Sequence, residues 1–109
     1  MLEKKLEKHI ELLIKRYPAL EECKHSIIEA YLLLEECYQK DHKVLIAGNG
    51  GSAADSEHIA GELMKRFKIL RPVTEEFADK LKEIDPIRGE KLACNLERGL
   101  MAIPLVAHE

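Results

Sequence analysis

The sequence contains no tryptophan and only three cysteines, Cys23, Cys37 and Cys94, and this scarcity excludes several classes of protein. An odd number of cysteines at wide spacing, with no CxxC pair, argues against a disulfide framework and against a cysteine-based zinc site. We expect all three to be reduced and to pack as small apolar residues of the core. No apolar run approaches the roughly 20 residues that a membrane helix needs, so no membrane partner is expected.

Neither sign of charge dominates, since 17 lysines and arginines stand against 20 aspartates and glutamates. The net charge of −3 lacks the basic excess of a protein that binds nucleic acid directly. The first residues, MLEKKLEKHIELL, alternate charged and apolar side chains and do not resemble a secretory signal. With 46% hydrophobic residues among 109, the composition predicts an ordinary globular protein. Because we expect reduced cysteines and find no secretory signal pattern, we expect the protein in the cytoplasm.

The first 40 residues show the apolar periodicity of two helices. Apolar residues recur at three- and four-residue steps from Leu2 to Tyr17, and Pro18 ends the pattern. A second helical pattern runs from Leu20 to Lys40, with apolar residues on more than one side. We therefore predict two helices over residues 1–40, the second of which packs against two partners, its own sheet and another subunit.

The period changes after Asp41. Lys43–Gly48 is a short apolar run typical of a strand buried on both faces, and a glycine-rich turn follows it. A third helical pattern begins at Ser52, which forms a capping box with Asp55, and continues to Phe67. The apolar residues assigned to the inward side of this helix are Ala53, Ile59, Leu63 and Phe67.

The remainder of the chain predicts a charged helical stretch and a second strand. Residues 74–99 have helical periodicity interrupted at Asp85-Pro86, and we assign this stretch no role beyond that of a lid or a subunit contact. Leu100–Ala107 is the second predicted strand, although Pro104 cannot donate to a central ladder. The order of elements predicts an α/β fold with a parallel sheet over residues 41–109. Because two strands make a poor sheet, we expect this chain to be the first half of a larger domain.

Two groups of polar residues could carry chemistry. The glycines after the first strand let main-chain N–H groups approach a ligand at a helix N-terminus, or they serve only the turn. His58 and Glu62 stand four residues apart and therefore share one helix face. Such a pair can share a metal, act as an acid and base, or be a solvated surface contact.

The stretch GNGGSAADSEHIAGELMKRF, with the basic-proline turn that follows it, resembles the phosphoheptose isomerases of the sugar isomerase (SIS) family. The resemblance covers about Lys43 to Arg71 and implies an amino-terminal helical hairpin followed by the first strands of a SIS-type, flavodoxin-like α/β/α sandwich. It also implies a homotetramer that the hairpin helps to build.

By resemblance, the substrate-binding residues would be Asn49, Gly50, Gly51, Ser52 and Glu62. His58 and Glu62 would be the catalytic residues and would bind a zinc ion, with Glu62 also acting as the general base. The implied reaction is the isomerisation of sedoheptulose 7-phosphate to a D-glycero-D-manno- or related heptose 7-phosphate through an enediol or enediolate.

The family's Ser/Thr-rich phosphate loop, and the Gln and His that complete its zinc site, have no counterpart before Glu109. We therefore expect this chain alone to bind zinc weakly and not to turn over. An alternative is a non-catalytic binding protein that resembles the DnaA initiator-associating protein. A sugar-phosphate sensing domain of a regulator ranks third, because no DNA-binding segment is visible.

Overall fold

The computed structural model describes residues 2–106, which divide into two compact units between His42 and Lys43. The first unit is helical. Helix α1 spans Lys4–Arg16, a 3₁₀ helix spans Pro18–Cys23, and helix α2 spans Lys24–Gln39. The two predicted helices are thus confirmed, except that the first turns of the second have 3₁₀ geometry after Pro18. No side chain of α1 or α2 is fully buried.

The second unit contains two strands and three helices. Strand β1 is Val44–Ile46 and strand β2 is Ala102–Pro104, with helices α3 (Gly51–Met64), α4 (Glu75–Ile84) and α5 (Pro86–Asn95) between them. The strands pair in parallel, with Val44 opposite Ala102 and Ile46 opposite Pro104. The predicted α/β class with a parallel sheet is confirmed. Within residues 2–106 no helix is long and apolar enough to cross a membrane.

Helix α3 packs on one face of this two-stranded sheet. Ala102 lies on that face and is buried, whereas Leu45 and Ile103, at the alternate positions, are 56% and 42% exposed. The expectation that the first strand is buried on both faces is therefore wrong for the described chain, because Leu45 of β1 is exposed. The part of the second predicted strand at Ala107 lies outside the described residues.

Pro104 fits into β2 because the amide of the next residue supplies the donor to Ile46, its partner in β1. The amide of Leu105 donates to the carbonyl of Ile46 at 2.7 Å, and the amide of Val44 donates to the carbonyl of Met101 at 2.9 Å. Pro104 therefore occupies a position from which β1 needs no donor, which is the setting in which strands accept proline.

Helices α4 and α5 form a hairpin that packs chiefly on itself. Thr74 caps α4 by accepting a hydrogen bond from the amide of Phe77, and Asp85 caps α5 by accepting from the amides of Ile87 and Arg88. The two helices cross closely at Gly89, where a Cβ atom would lie 2.2 Å from the Leu81 carbonyl oxygen. The predicted helical character of residues 74–99 and its interruption at Asp85-Pro86 are confirmed.

Three expectations about packing are wrong. Helix α3 ends at Met64, so Phe67 lies beyond it and is 79% exposed, and Ile59 is also largely exposed. The buried side of α3 consists instead of the small residues Ser56 and Ala60, which let the helix approach the sheet closely. Cys23 and Cys94 are exposed on their helices rather than buried in a core.

Candidate active site

The turn after β1 brings the main chain back over the start of α3. The amide of Ser52 donates to the carbonyl of Asn49 at 3.0 Å, and the amide of Ala53 donates to the carbonyl of Gly50 at 3.1 Å. Gly50 has φ 58° and ψ −122°, a conformation that only glycine adopts without strain. The residue that precedes α3 is therefore Gly50, and no side chain caps the helix. The predicted capping box of Ser52 and Asp55 is wrong, because the helix already includes Ser52.

The other two glycines of the turn differ in what surrounds them. A Cβ atom on Gly48 would lie 2.5 Å from the carbonyl oxygen of Ser52, so the close return of the chain requires glycine there. A Cβ atom on Gly51 would meet nothing within 4 Å, and its φ is not positive. The fold thus explains Gly48 and Gly50, while Gly51 stands at the helix N-terminus beside open space. Main-chain amides at a helix N-terminus suit an anionic or polyhydroxyl ligand.

Ser56 fixes the rotation of α3 on the sheet. Its side chain is buried, with the residue only 2% exposed, and its hydroxyl donates to the carbonyl of Ser52 at 2.8 Å. This bond satisfies the buried hydroxyl without a partner from outside the helix. With Ser56 and Ala60 against the sheet, the helical repeat places His58 and Glu62 on the outer side of α3.

His58 and Glu62 come together on this outer face, as their spacing predicts. His58 Nε2 and Glu62 Oε1 are 3.6 Å apart, which is close but beyond a normal hydrogen bond. The His58 side chain is 77% exposed, whereas that of Glu62 is only 26% exposed. The same oxygen of Glu62 accepts a hydrogen bond from Lys65 Nζ at 2.9 Å. Glu62 is thus a sheltered carboxylate between an imidazole and an ammonium group, and Lys65 was not among the predicted site residues.

The glycine turn and the His58–Glu62 pair lie far apart, near opposite ends of helix α3. Eleven residues separate Gly51 from Glu62, which at the rise of an α-helix is about 16 Å along the axis. Side chains lean toward the helix N-terminus, so the gap between the carboxylate and the turn is somewhat shorter than this. A single ligand would therefore have to extend along α3 to reach both groups of predicted site residues.

The carboxyl end of α3 is held by charged residues from distant parts of the chain. The guanidinium of Arg71 donates to the carbonyls of Leu63 and Lys65, at 2.7 and 2.9 Å. Glu97 accepts from the amide of Arg66 at 2.7 Å and from Arg66 Nε at 3.0 Å. Sequence reasoning missed these contacts, because the partners are up to 31 residues apart and no local pattern marks them.

The described residues supply only part of the predicted zinc site. His58 and Glu62 offer an imidazole nitrogen and a carboxylate oxygen, which are both zinc ligands. Within residues 2–106, however, no three His, Cys, Asp or Glu side chains stand close enough together to hold a metal ion. A catalytic zinc takes three protein ligands, so the described residues do not complete such a site.

Comparison with known proteins gives one family model and a set of relatives. Residues 8–93 match the model of the SIS domain. A phosphoheptose isomerase of Coxiella burnetii (strain RSA 331 / Henzerling II) is 43% identical over 54 residues, which cover 50% of this chain and 27% of that protein. A phosphoheptose isomerase of Aneurinibacillus thermoaerophilus is 62% identical over 37 residues, covering 34% of this chain and 19% of that protein.

A longer match is with a phosphoheptose isomerase of Shewanella sp. (strain ANA-3). The two proteins are 36% identical over 72 residues, which cover 66% of this chain and 36% of that protein. The chain thus spans only about a fifth to a third of the length of these relatives. No solved structure is significantly similar to it.

Proposed function

This chain belongs to the SIS domain family, and from that membership we propose that it acts in the aldose–ketose isomerisation of a sugar phosphate. The resemblance to phosphoheptose isomerases is confirmed by relatives of that name that are 36% to 62% identical over parts of the chain. We propose sedoheptulose 7-phosphate as the substrate and a D-glycero-D-manno- or related heptose 7-phosphate as the product.

The observation that carries the proposal is the position of Glu62. Its carboxylate is three-quarters buried on α3, beside His58 at 3.6 Å and Lys65 at 2.9 Å. In the proposed reaction Glu62 removes a proton from C1 of the ketose, which leaves an enediolate with its negative charge on O2. Glu62 then returns the proton to C2 while the hydroxyl proton on O1 passes to O2, which gives the aldose. The sheltered position supports this role. A carboxylate that a neighbouring side chain already holds in place loses little conformational entropy when it approaches the C1 proton of the substrate.

The glycine turn is proposed to bind a polar part of the substrate. The helix N-terminus at Gly51 carries a partial positive charge, a Cβ atom on Gly51 would meet nothing within 4 Å, and Asn49 and Ser52 flank the glycine pair in sequence. Because the turn lies far along α3 from Glu62, we assign it to binding and orientation rather than to proton transfer. Asn49, Gly50, Gly51 and Ser52 are thus proposed substrate-binding residues.

In the proposed reaction Glu62 alone carries the proton. His58 and Glu62 supply two donors of the kind that zinc binds, and the described residues do not supply a third. We retain a zinc ion bound by His58 and Glu62 as a proposal of its own, which direct metal analysis of the complete natural protein tests. We also propose a homo-oligomer, for which sedimentation is the direct test.

The experiment that tests the isomerase proposal is an assay of the complete natural protein with sedoheptulose 7-phosphate in D₂O. Turnover with deuterium incorporated at C2 of the aldose is expected, because a base that carries a proton through an enediolate exchanges it with solvent. Glu62→Gln should lower kcat by about 10²- to 10⁴-fold. Glu57→Gln, an exposed carboxylate on the same helix, is the matched control and should leave kcat unchanged. Near-normal kcat in Glu62→Gln would remove Glu62 from this role, and no turnover by the natural protein would overturn the proposal itself.

A further inference from the structure

We infer that Arg71 is a positioning residue for Glu62, holding in place the last turn of α3, from which the Glu62 side chain extends. This inference rests on the proposed role of Glu62. Arg71 lies outside α3, in the segment between that helix and α4, and among the described residues it forms neither a hydrogen bond nor an ion pair with the Glu62 side chain. It acts through the main chain of the residues next to Glu62.

The guanidinium of Arg71 bonds to three carbonyl oxygens from two parts of the chain. Its Nη2 donates to the carbonyl of Leu63 at 2.7 Å and to that of Lys65 at 2.9 Å. Its Nε donates to the carbonyl of Arg98 at 3.0 Å. The amide of Arg98 in turn donates to the carbonyl of Arg71 at 2.8 Å, so the two segments are bonded in both directions.

The segment bonded by Arg71 leads directly into β2. The amide of Leu100 also donates to the carbonyl of Leu63, at 2.8 Å. Gly99 approaches the helix so closely that a Cβ atom there would lie 2.9 Å from the carbonyl oxygen of Met64. The end of α3 is thereby joined to the strand that forms half of the sheet.

Helix ends need such partners because their last carbonyls have no intrahelical donor. Without one, the final turn frays, and any side chain on it moves with the main chain. Glu62 lies only two residues before the end of α3 at Met64. Arg71 supplies donors to this turn and places a positive charge at the negative end of the helix dipole.

The arrangement requires the shape of arginine as well as its charge. Nε and Nη2 point to different carbonyls at once, and the planar guanidinium fixes the angle between them. A lysine ammonium keeps the charge but is a single point on a flexible stem. Arg71→Lys therefore tests geometry while leaving the charge in place.

The experiment measures kcat and KM for sedoheptulose 7-phosphate, together with amide hydrogen exchange over residues 60–66, in the complete natural protein. Arg71→Lys is expected to lower kcat by roughly 10- to 100-fold, the scale of a displacement of about 1 Å in a reacting group. KM should stay within about threefold, because Arg71 does not touch the substrate in the proposed site. Exchange over residues 60–66 should become faster, while exchange over α1 stays the same.

Arg98→Lys is the matched control. The hydrogen bonds given above for Arg98 come from its main chain, and its exposed side chain makes none within residues 2–106. This variant should change neither kcat nor exchange. If Arg71→Lys fails to fold, Arg71→Gln, whose amide keeps two N–H donors, takes its place.

The outcomes separate the inference from the function on which it rests. Unchanged exchange over residues 60–66 in Arg71→Lys would show that Arg71 does not hold the turn. Faster exchange with kcat within twofold of the natural protein would show that the turn is held but that Glu62 does not depend on it. Either result overturns the inference alone. A natural protein without turnover would overturn the proposed function, and the positioning role of Arg71 with it.

Discussion

Gly48 packs against Ser52 so closely that a Cβ atom on the glycine would lie 2.5 Å from the serine carbonyl oxygen. The contact joins the end of β1 to the first turn of α3, and the two nearest atoms of Ser52, its carbonyl oxygen and carbon, belong to the main chain. It therefore sets the direction in which α3 leaves the sheet. The position of every residue on α3, Glu62 included, follows from that direction.

We expect alanine to have opposite effects at Gly48 and Gly51. Gly48→Ala should lower the free energy of unfolding by about 1–3 kcal/mol, because the new methyl group forces a main-chain shift. Gly51→Ala meets open space, so stability should be unchanged or higher by up to about 1 kcal/mol. Urea unfolding of both variants measures the difference.

Gly51→Ala also tests the proposed binding role of the turn. Its methyl group would enter the space beside the helix N-terminus, so KM for the sugar phosphate should rise while the fold is retained. An unchanged KM in a stable Gly51→Ala protein would contradict the assignment of Gly51 to substrate binding. Equal stability of the two alanine variants would contradict the packing at Gly48.

Helix capping gives a second contrast, between Asp85 and Ser52. Asp85 Oδ1 accepts from the amides of Ile87 and Arg88 at 3.0 and 2.9 Å, so Asp85→Ala should cost about 1 kcal/mol of stability. Ser52 lies inside α3, and no side chain caps that helix, so Ser52→Ala should lose no cap. Thermal unfolding of the two variants decides between these assignments. A loss in Ser52→Ala as large as that in Asp85→Ala would show that Ser52 caps α3 after all.

The order of elements in the second unit could be predicted because its signals are local. The apolar run at β1, the glycines after it and the helical period from Ser52 each depend on neighbouring residues. The exact start of α3 could not be predicted, since both Gly50 and Ser52 are residue types that precede helices. The φ of Gly50, which decides between them, follows from how the turn folds back onto the helix.

Burial was harder to predict than secondary structure. The apolar character of Ile59 and Phe67 predicted that these side chains are buried, but both are exposed. The buried residues of α3 are instead Ser56 and Ala60. A helix that packs closely on a sheet needs small side chains there, and a hydrophobic period does not distinguish small from large residues.

The candidate site was predictable only where its residues share one helix. The four-residue spacing of His58 and Glu62 brings them together whatever the rest of the fold does. Lys65, three residues beyond Glu62, was within reach of the same argument. Arg71 and Glu97 were not, because their contacts with the end of α3 depend on the path of the chain through the α4–α5 hairpin.

The third prediction concerns the pH dependence of that hairpin. Lys82 Nζ on α4 and Glu90 Oε2 on α5 are 3.0 Å apart. The hydrogen bond from Lys82, and a weaker one from Cys94, lower the pKa of Glu90 below its ordinary value. The hydrogen bond to Glu90 in turn raises the pKa of Lys82. Because both groups are exposed, the contribution is modest and salt should screen it.

The signs of the two shifts give a window of pH. A carboxylate with a lowered pKa in the folded state stabilises that state above its unfolded pKa, and this contribution is lost as the pH falls through the folded value. An amine with a raised pKa stabilises the folded state below its unfolded pKa, and the contribution is lost as the pH rises through the folded value. The ion pair therefore stabilises the hairpin most between the two ranges, around neutral pH.

Glu90→Gln should accordingly have a lower melting temperature than the natural sequence at neutral pH, and the difference should vanish in acid, where Glu90 itself is protonated. Glu83→Gln is the matched control, since Glu83 is an exposed carboxylate on the same hairpin. Its melting temperature should follow that of the natural sequence across the range. The measurement is a series of melting curves from acid to neutral pH at low salt, repeated at about 1 M salt to screen the pair. A Glu90→Gln deficit that persists at acid pH would show that the loss comes from packing rather than from charge.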